Sequence, residues 1–446
     1  MSLNDREVRL VKNMLSEGRK IHEIAKTLNV SPVQVALISS QRDVIKVDRP
    51  ISSTEKSISI AEDDDTTTKP ESKQQRVENR KNIHGDILIG KTNEGEQVIW
   101  NPLTAPNPHL MVVGESGFGK TYGITGLICE LSRIGLPTII IDYSRSYEEK
   151  NFPNKFRGNF QEVNIGKFGV SLNPLEIRES DVRGPLSVAV RISGTFNRIY
   201  NIGVHQEALL REVIVEIYEK RGIYEQSPET WTKDAPHLSH LAAELQAISE
   251  DEEDQRQKRA ELTFSHISNF FAFNSFNPNG AKFSWLNGIN SNKITVLQLN
   301  GLDGKPQKVV TEFLLWDIYS YFVSRGPNKL SCFLVLDEAH NLSFKSDTPV
   351  DKIVREARKF GLAAILASQQ PEDFSGPVFT CTGTKICFQV AEQKGKFIQK
   401  IASKCSSKPN EIKDILSTIP KAHVFVLSEN KGKVCKFDSH ENRGLA

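Results

Sequence analysis

The run Gly114-Glu115-Ser116-Gly117-Phe118-Gly119-Lys120-Thr121 restricts the possible folds of this chain more than any other stretch. It fits G-x-x-x-x-G-K-[ST] and lies between an apolar, strand-like Leu110–Val113 and a helix-like stretch at 122–131. Glycines at these places let the backbone curl until several N–H groups point inward, and the helix that follows adds the positive end of its dipole. Such a loop cradles phosphate. Lys120 is expected to reach the β- and γ-phosphates of ATP, and Thr121 to offer its hydroxyl to Mg2+. An ordinary glycine-rich turn would need neither the lysine nor the flanking strand and helix.

From residue 83 onward the pattern is α/β. Short β-rich runs at 86–89, 97–100, 110–113, 138–141, 294–299, 333–336, 363–367 and 385–390 alternate with helical stretches. Continuous Val/Ile/Leu runs of this kind suit strands buried on both faces of a mostly parallel sheet. The strand signal stops between about 180 and 285. There Leu209, Leu210, Val213, Ile214, Ile217 and Tyr218 make a helical stripe closed by Gly222, and further helices are expected at 237–248 and from the charged segment 251–259 to about 271. A helical subdomain inserted into the sheet domain is the expectation.

A second chemical motif ends the apolar strand at 333–336 in two carboxylates, Asp337 and Glu338. Many strands end in solvated acids, but downstream of a phosphate loop the first acid suits Mg2+ and the second suits a general base that polarises the attacking water. A third motif is Arg355-Glu-Ala-Arg-Lys-Phe-Gly-Leu, followed by a buried strand and Ala367-Ser-Gln-Gln-Pro371. Gln369, at the strand tip, can sense the γ-phosphate or orient the water; the plainer alternative is a strand-end hydrogen bond to a loop. Arg358 is either a solvated helix charge or a group that completes a neighbouring subunit's site.

Outside this region the chain changes character. Val8, Val11 and Leu15 share a helix face, and Ser31-Pro32 marks a helix start. Ala25, Asn29 and Val35 stand where a helix-turn-helix wants a small, a left-handed-tolerant and an apolar residue. Residues 1–45 therefore read as a helix-turn-helix-like unit, or as a plain helical hairpin for docking a partner. Its second helix (33–40) has almost no Lys or Arg for phosphates. Residues 46–82, rich in Ser, Thr, Asp, Glu, Lys and Gln with no apolar period, read as a flexible linker.

The net charge of +2 rules out a general positive field, so any nucleic-acid binding must come from a local basic surface. The six cysteines include no C-x-x-C pair, which points to a reducing compartment without a zinc site. The opening residues hold no apolar signal core and no apolar run approaches a membrane span, so a soluble, cytoplasmic protein is expected.

The set Val-Val-Gly-Glu-Ser-Gly-Phe-Gly-Lys-Thr, Leu-Val-Leu-Asp-Glu-Ala-His and Arg-Glu-Ala-Arg-Lys-Phe-Gly-Leu…Ala-Ser-Gln-Gln-Pro resembles the HerA/FtsK superfamily of DNA-pumping ATPases, on its HerA side, over residues 83–446. The resemblance implies a RecA-like P-loop fold. It assigns Lys120 and Thr121 to the phosphate loop, Asp337 to the metal acid, Glu338 to the catalytic base, Gln369 to the sensor and Arg358 to a trans-acting arginine finger. It also implies a homohexameric ring around double-stranded DNA, acting with a nuclease or other effector. In place of the family's N-terminal β-barrel stands the helical unit, which leaves the partner open. The stretch from Ile89 to Gly114 also resembles the ATPase segment of restriction-type phage-defence proteins, which tilts the expectation towards genome defence. An ATP-gated scaffold that does not translocate, and a viral genome-packaging motor, are the alternatives.

Overall fold

The computed structural model describes residues 84–289, 293–390 and 395–438, together with Met14, Ile24 and Thr27. The chain divides into two units, Met1–Glu78 and Asn79–Ala446. In the first, Met14 and Ile24 are buried helical residues and Thr27 is an exposed one. The rest of the helix-turn-helix-like unit and the linker lies outside the described residues.

The second unit is built on one eleven-stranded sheet. Its strands are β1 (Ile87–Lys91), β2 (Gln97–Trp100), β3 (Leu110–Val113), β4 (Thr138–Asp142), β5 (Phe160–Asn164), β6 (Ile294–Gln298), β7 (Cys332–Leu336), β8 (Leu362–Ser368), β9 (Thr384–Cys387), β10 (His423–Ser428) and β11 (Lys431–Phe437). They run in the order β2-β1-β11-β10-β9-β3-β8-β7-β4-β6-β5. Every pairing from β9 to β5 is parallel. The four strands beyond β9 extend the sheet antiparallel.

The parallel strands are apolar on both faces because each face has its own core. In β3, Met111 and Val113 pack into one cluster while Leu110 and Val112 pack into the other. Strand β8 alternates in the same way, with Leu362, Ala364 and Leu366 on one side and Ala363, Ile365 and Ala367 on the other. The helix Lys120–Arg133 covers one face through Ile124, Leu127, Ile128 and Leu131.

The opposite face carries the long helix Gly304–Ser324 and the helices that leave the sheet between β5 and β6: Pro185–Tyr200, Val204–Glu219, Leu238–Glu250 and Gln257–Ala272. The stripe Leu209, Leu210, Val213, Ile214, Ile217 and Tyr218 is buried. An aromatic knot of Phe196, Phe270 and Phe313, with edge-to-face contacts at 5.2–5.9 Å, joins this group to the sheet's helical layer. Among the described residues, no helix is long and apolar enough to cross a membrane.

Candidate nucleotide site

Strand β3 ends at Val113, and the loop that follows turns at three glycines with positive φ: Gly114 (150°), Gly117 (83°) and Gly119 (99°). A Cβ on Gly114 would lie 2.5 Å from the Cβ of Phe388, just past β9, so the loop can pass there only without a side chain. Gly119 caps the helix Lys120–Arg133 and no side chain accepts from the first turn, which suits those N–H groups to an anion. Lys120 folds back over the loop and its Nζ donates to the Glu115 carbonyl at 2.9 Å. Burial holds its ammonium below the usual lysine range, opposed by the negative fields of Asp337, Glu338 and Glu115.

Strand β8 stands between the phosphate-loop strand β3 and β7, the strand that ends at Asp337. The tips of all three therefore converge on one edge of the sheet, the carboxyl ends of its parallel strands, where open α/β sheets bind ligands. Asp337 is buried and both its oxygens are engaged: Oδ1 accepts from the Glu338 N–H at 2.8 Å and Oδ2 from the Tyr147 hydroxyl at 2.7 Å. Glu338 adopts a left-handed backbone (φ 52°), uncommon for a residue with a side chain. Its Oε1 lies 3.5 Å from Gln369 Nε2 at the tip of β8, and its Oε2 lies 3.4 Å from His340 Nδ1. That contact lacks hydrogen-bond geometry, and among the described residues Oε2 has no hydrogen-bond partner although it is shielded from solvent. A buried carboxylate oxygen left open in this way suits a water or ligand proton.

Lys120, Asp337, Glu338 and Gln369 thus share one end of the sheet. Arg358 does not. It lies in the turn Ala357–Phe360 that leads into β8, and its Nη1 donates to the Pro106 carbonyl ahead of β3. The seven residues of β8 separate that turn from Gln369, which at roughly 3.3 Å per residue is about 20 Å. Arg358 therefore cannot serve its own chain's phosphate loop.

Several residues that complete the site carry no chemical signal of their own in the sequence. Tyr147, Asp142 and Gln298 stand behind Asp337, and His340 stands beside Glu338. Beside the loop, Phe118, Tyr122, Phe388, Lys421, Ala422 and Phe437 line a cavity of about 370 Å3. Phe388 follows the end of β9 and Phe437 ends β11, both long after the motif in sequence. Only the fold brings them there.

A phosphate loop, an interposed β8 and a strand-end acid pair define a RecA-like P-loop ATPase. Solved structures of the same fold include VirB4 of Thermoanaerobacter pseudethanolicus, with a TM-score of 0.63 at 18% identity, covering 80% of this chain and 97% of that one. The bacterial conjugative coupling protein TrwB matches with a TM-score of 0.53 at 14% identity, covering 80% and 89%. Residues 104–318, just under half of the chain, match the family described as the central domain of helicase HerA. The DNA double-strand break repair helicase HerA of Sulfolobus acidocaldarius is 24% identical over 384 residues, covering 80% of this chain and 70% of that protein. The HerA of Sulfurisphaera tokodaii is 22% identical over 328 residues, covering 70% of this chain and 61% of that protein.

Proposed function

We propose that this protein is an ATP-hydrolysing ring motor that moves along or unwinds double-stranded DNA. The observation that carries the hydrolytic part is the open oxygen of Glu338, held one residue from Asp337 and within reach of Gln369. In this reading the loop from Gly114 to Thr121 wraps the phosphates and Lys120 exchanges its bond to the Glu115 carbonyl for one to the β- and γ-phosphates. Glu338 takes the proton of the attacking water while Gln369 orients that water. The adenine ring of ATP packs in the cavity beside Tyr122 and Phe388. Thr121 and Asp337 would hold Mg2+, which neutralises charge on the phosphates. A hydroxyl and one carboxylate suit this ion, which takes few protein ligands when phosphates supply the others.

Arg358 lies too far from its own loop to act there, which favours a role in the site of a neighbouring subunit, and hence a ring such as a homohexamer. DNA as the track rests on the HerA relatives, as does a nuclease or other effector as partner, in genome defence or DNA processing. The exposed tip Lys345-Ser346-Asp347 follows the acid-bearing strand and, with Lys352, is the proposed DNA-facing element.

Subunit mixing tests the shared site. Lys120→Ala and Arg358→Ala proteins, each inactive alone, should recover part of the ATPase rate when mixed, because an intact loop then meets an intact arginine. Absence of recovery in co-assembled mixtures would remove Arg358 from the neighbour's site.

A further inference from the structure

Tyr147 is fully buried, and its hydroxyl donates to Asp337 Oδ2 at 2.7 Å. The rest of the residue is tied down separately. Its backbone N–H donates to Asp142 Oδ2 at 2.8 Å, and Gln298 Nε2, at the end of β6, donates to the same oxygen at 2.7 Å. Asp142 Oδ1 accepts from the N–H groups of Ser144 and Ser146, at 3.1 and 3.2 Å, and so closes the turn that delivers Tyr147. The ends of β4, β6 and β7 are thereby joined in one chain, Gln298–Asp142–Tyr147–Asp337.

We propose that Tyr147 is a positioning residue that sets the orientation of the Asp337 carboxylate for the Mg2+-nucleotide complex. The proposal rests on the reading of Asp337 as the metal acid. A phenol is suited to this task. Its single O–H is fully buried and donates to Asp337 Oδ2, while its backbone N–H is pinned by Asp142, so it acts as a fixed donor. One donor on each oxygen of Asp337 locks the plane of the carboxylate, since Glu338 N–H holds Oδ1 while Tyr147 holds Oδ2. Each oxygen keeps a second lone pair for the metal or its water. Outer partners of this kind tune a metal-binding carboxylate, and their loss typically weakens metal affinity about 10- to 100-fold.

The test is Tyr147→Phe in the full chain, beside Asp337→Asn. A fluorescent ATP analogue is titrated with excess Mg2+ and with EDTA, and ATPase rates are followed against Mg2+ concentration. Tyr147→Phe should raise the Mg2+ concentration for half-maximal rate about tenfold, lose most of the Mg2+-dependent gain in nucleotide affinity, and leave binding in EDTA unchanged. An unshifted Mg2+ requirement in Tyr147→Phe, with a clear shift in Asp337→Asn, overturns the proposal alone. No shift in Asp337→Asn overturns the reading beneath it. If Tyr147→Phe does not fold, Asp142→Asn is used. Its amide keeps one acceptor oxygen where Asp142 uses two, so either the Tyr147 N–H or the Ser144 and Ser146 N–H groups meet a donor, and the Mg2+ requirement should shift in the same direction; an unchanged requirement there contradicts the proposal.

Discussion

At the scale of single residues, the site is held by side chains taken out of water and then given partners. Lys120 is 9% exposed, yet it faces Asp337, Glu338 and a backbone carbonyl, and these offset much of the cost of burying its charge. His109, just before β3, is the contrary case. It is fully buried and its Nδ1 accepts from the Ala364 N–H at 2.9 Å, so it must stay neutral. Burial first, and the Arg358 guanidinium second, push its pKa down from 6.5 to about 4. The sign follows. The folded pKa is below the unfolded one, so the contribution of His109 is intact above pH 6.5 and is lost as pH falls towards 4. The loss amounts to ~3 kcal/mol over that window. His109→Asn keeps an acceptor for Ala364 but cannot titrate. Unfolding measured from pH 7 to 4 should show the variant losing less stability than the parent; parallel curves would show that His109 titrates normally.

At the scale of elements, the phosphate loop is shaped by what lies across from it as much as by its own glycines. Gly114 needs φ 150° and has Phe388 against it. Gly114→Ala should therefore cost about 1–3 kcal/mol in backbone strain alone. It should lower the melting temperature and abolish binding of a fluorescent ATP analogue, whereas a variant with parental melting and binding would show that the loop tolerates a side chain. Here the sequence was easy to read in part. The glycine spacing, the apolar β7 ending in Asp337-Glu338, and the pattern before Gln369 are local signals, and β3, β7 and β8 carry them as expected.

Other elements were not legible for identifiable reasons. Strand β5 (Phe160–Asn164) is an edge strand with one buried residue, so it lacks an apolar run. Strand β11 (Lys431–Phe437) is rich in lysine and is set by its antiparallel pairing with β10. The Tyr147 hydroxyl meets Asp337 across 190 positions of sequence, a distance no spacing rule covers.

At the scale of the whole molecule, both faces of the parallel strands are committed to cores, which leaves the edge at their carboxyl ends as the surface where chemistry can occur. Arg358 lies at the opposite edge. A chain with its proposed base at one edge and a candidate arginine at the other suits the proposed ring, in which each site would be finished by its neighbour. The proposed motor must use this hydrolysis to move on DNA. The direct measurement is the steady-state ATPase rate of the full-length protein, with and without long linear duplex DNA, beside Glu338→Gln. For a motor, the rate rises with DNA and falls about 10²- to 10⁴-fold in the variant, which still binds ATP. A rate indifferent to DNA, in a preparation shown to be assembled, would contradict the motor and leave an ATP-gated scaffold.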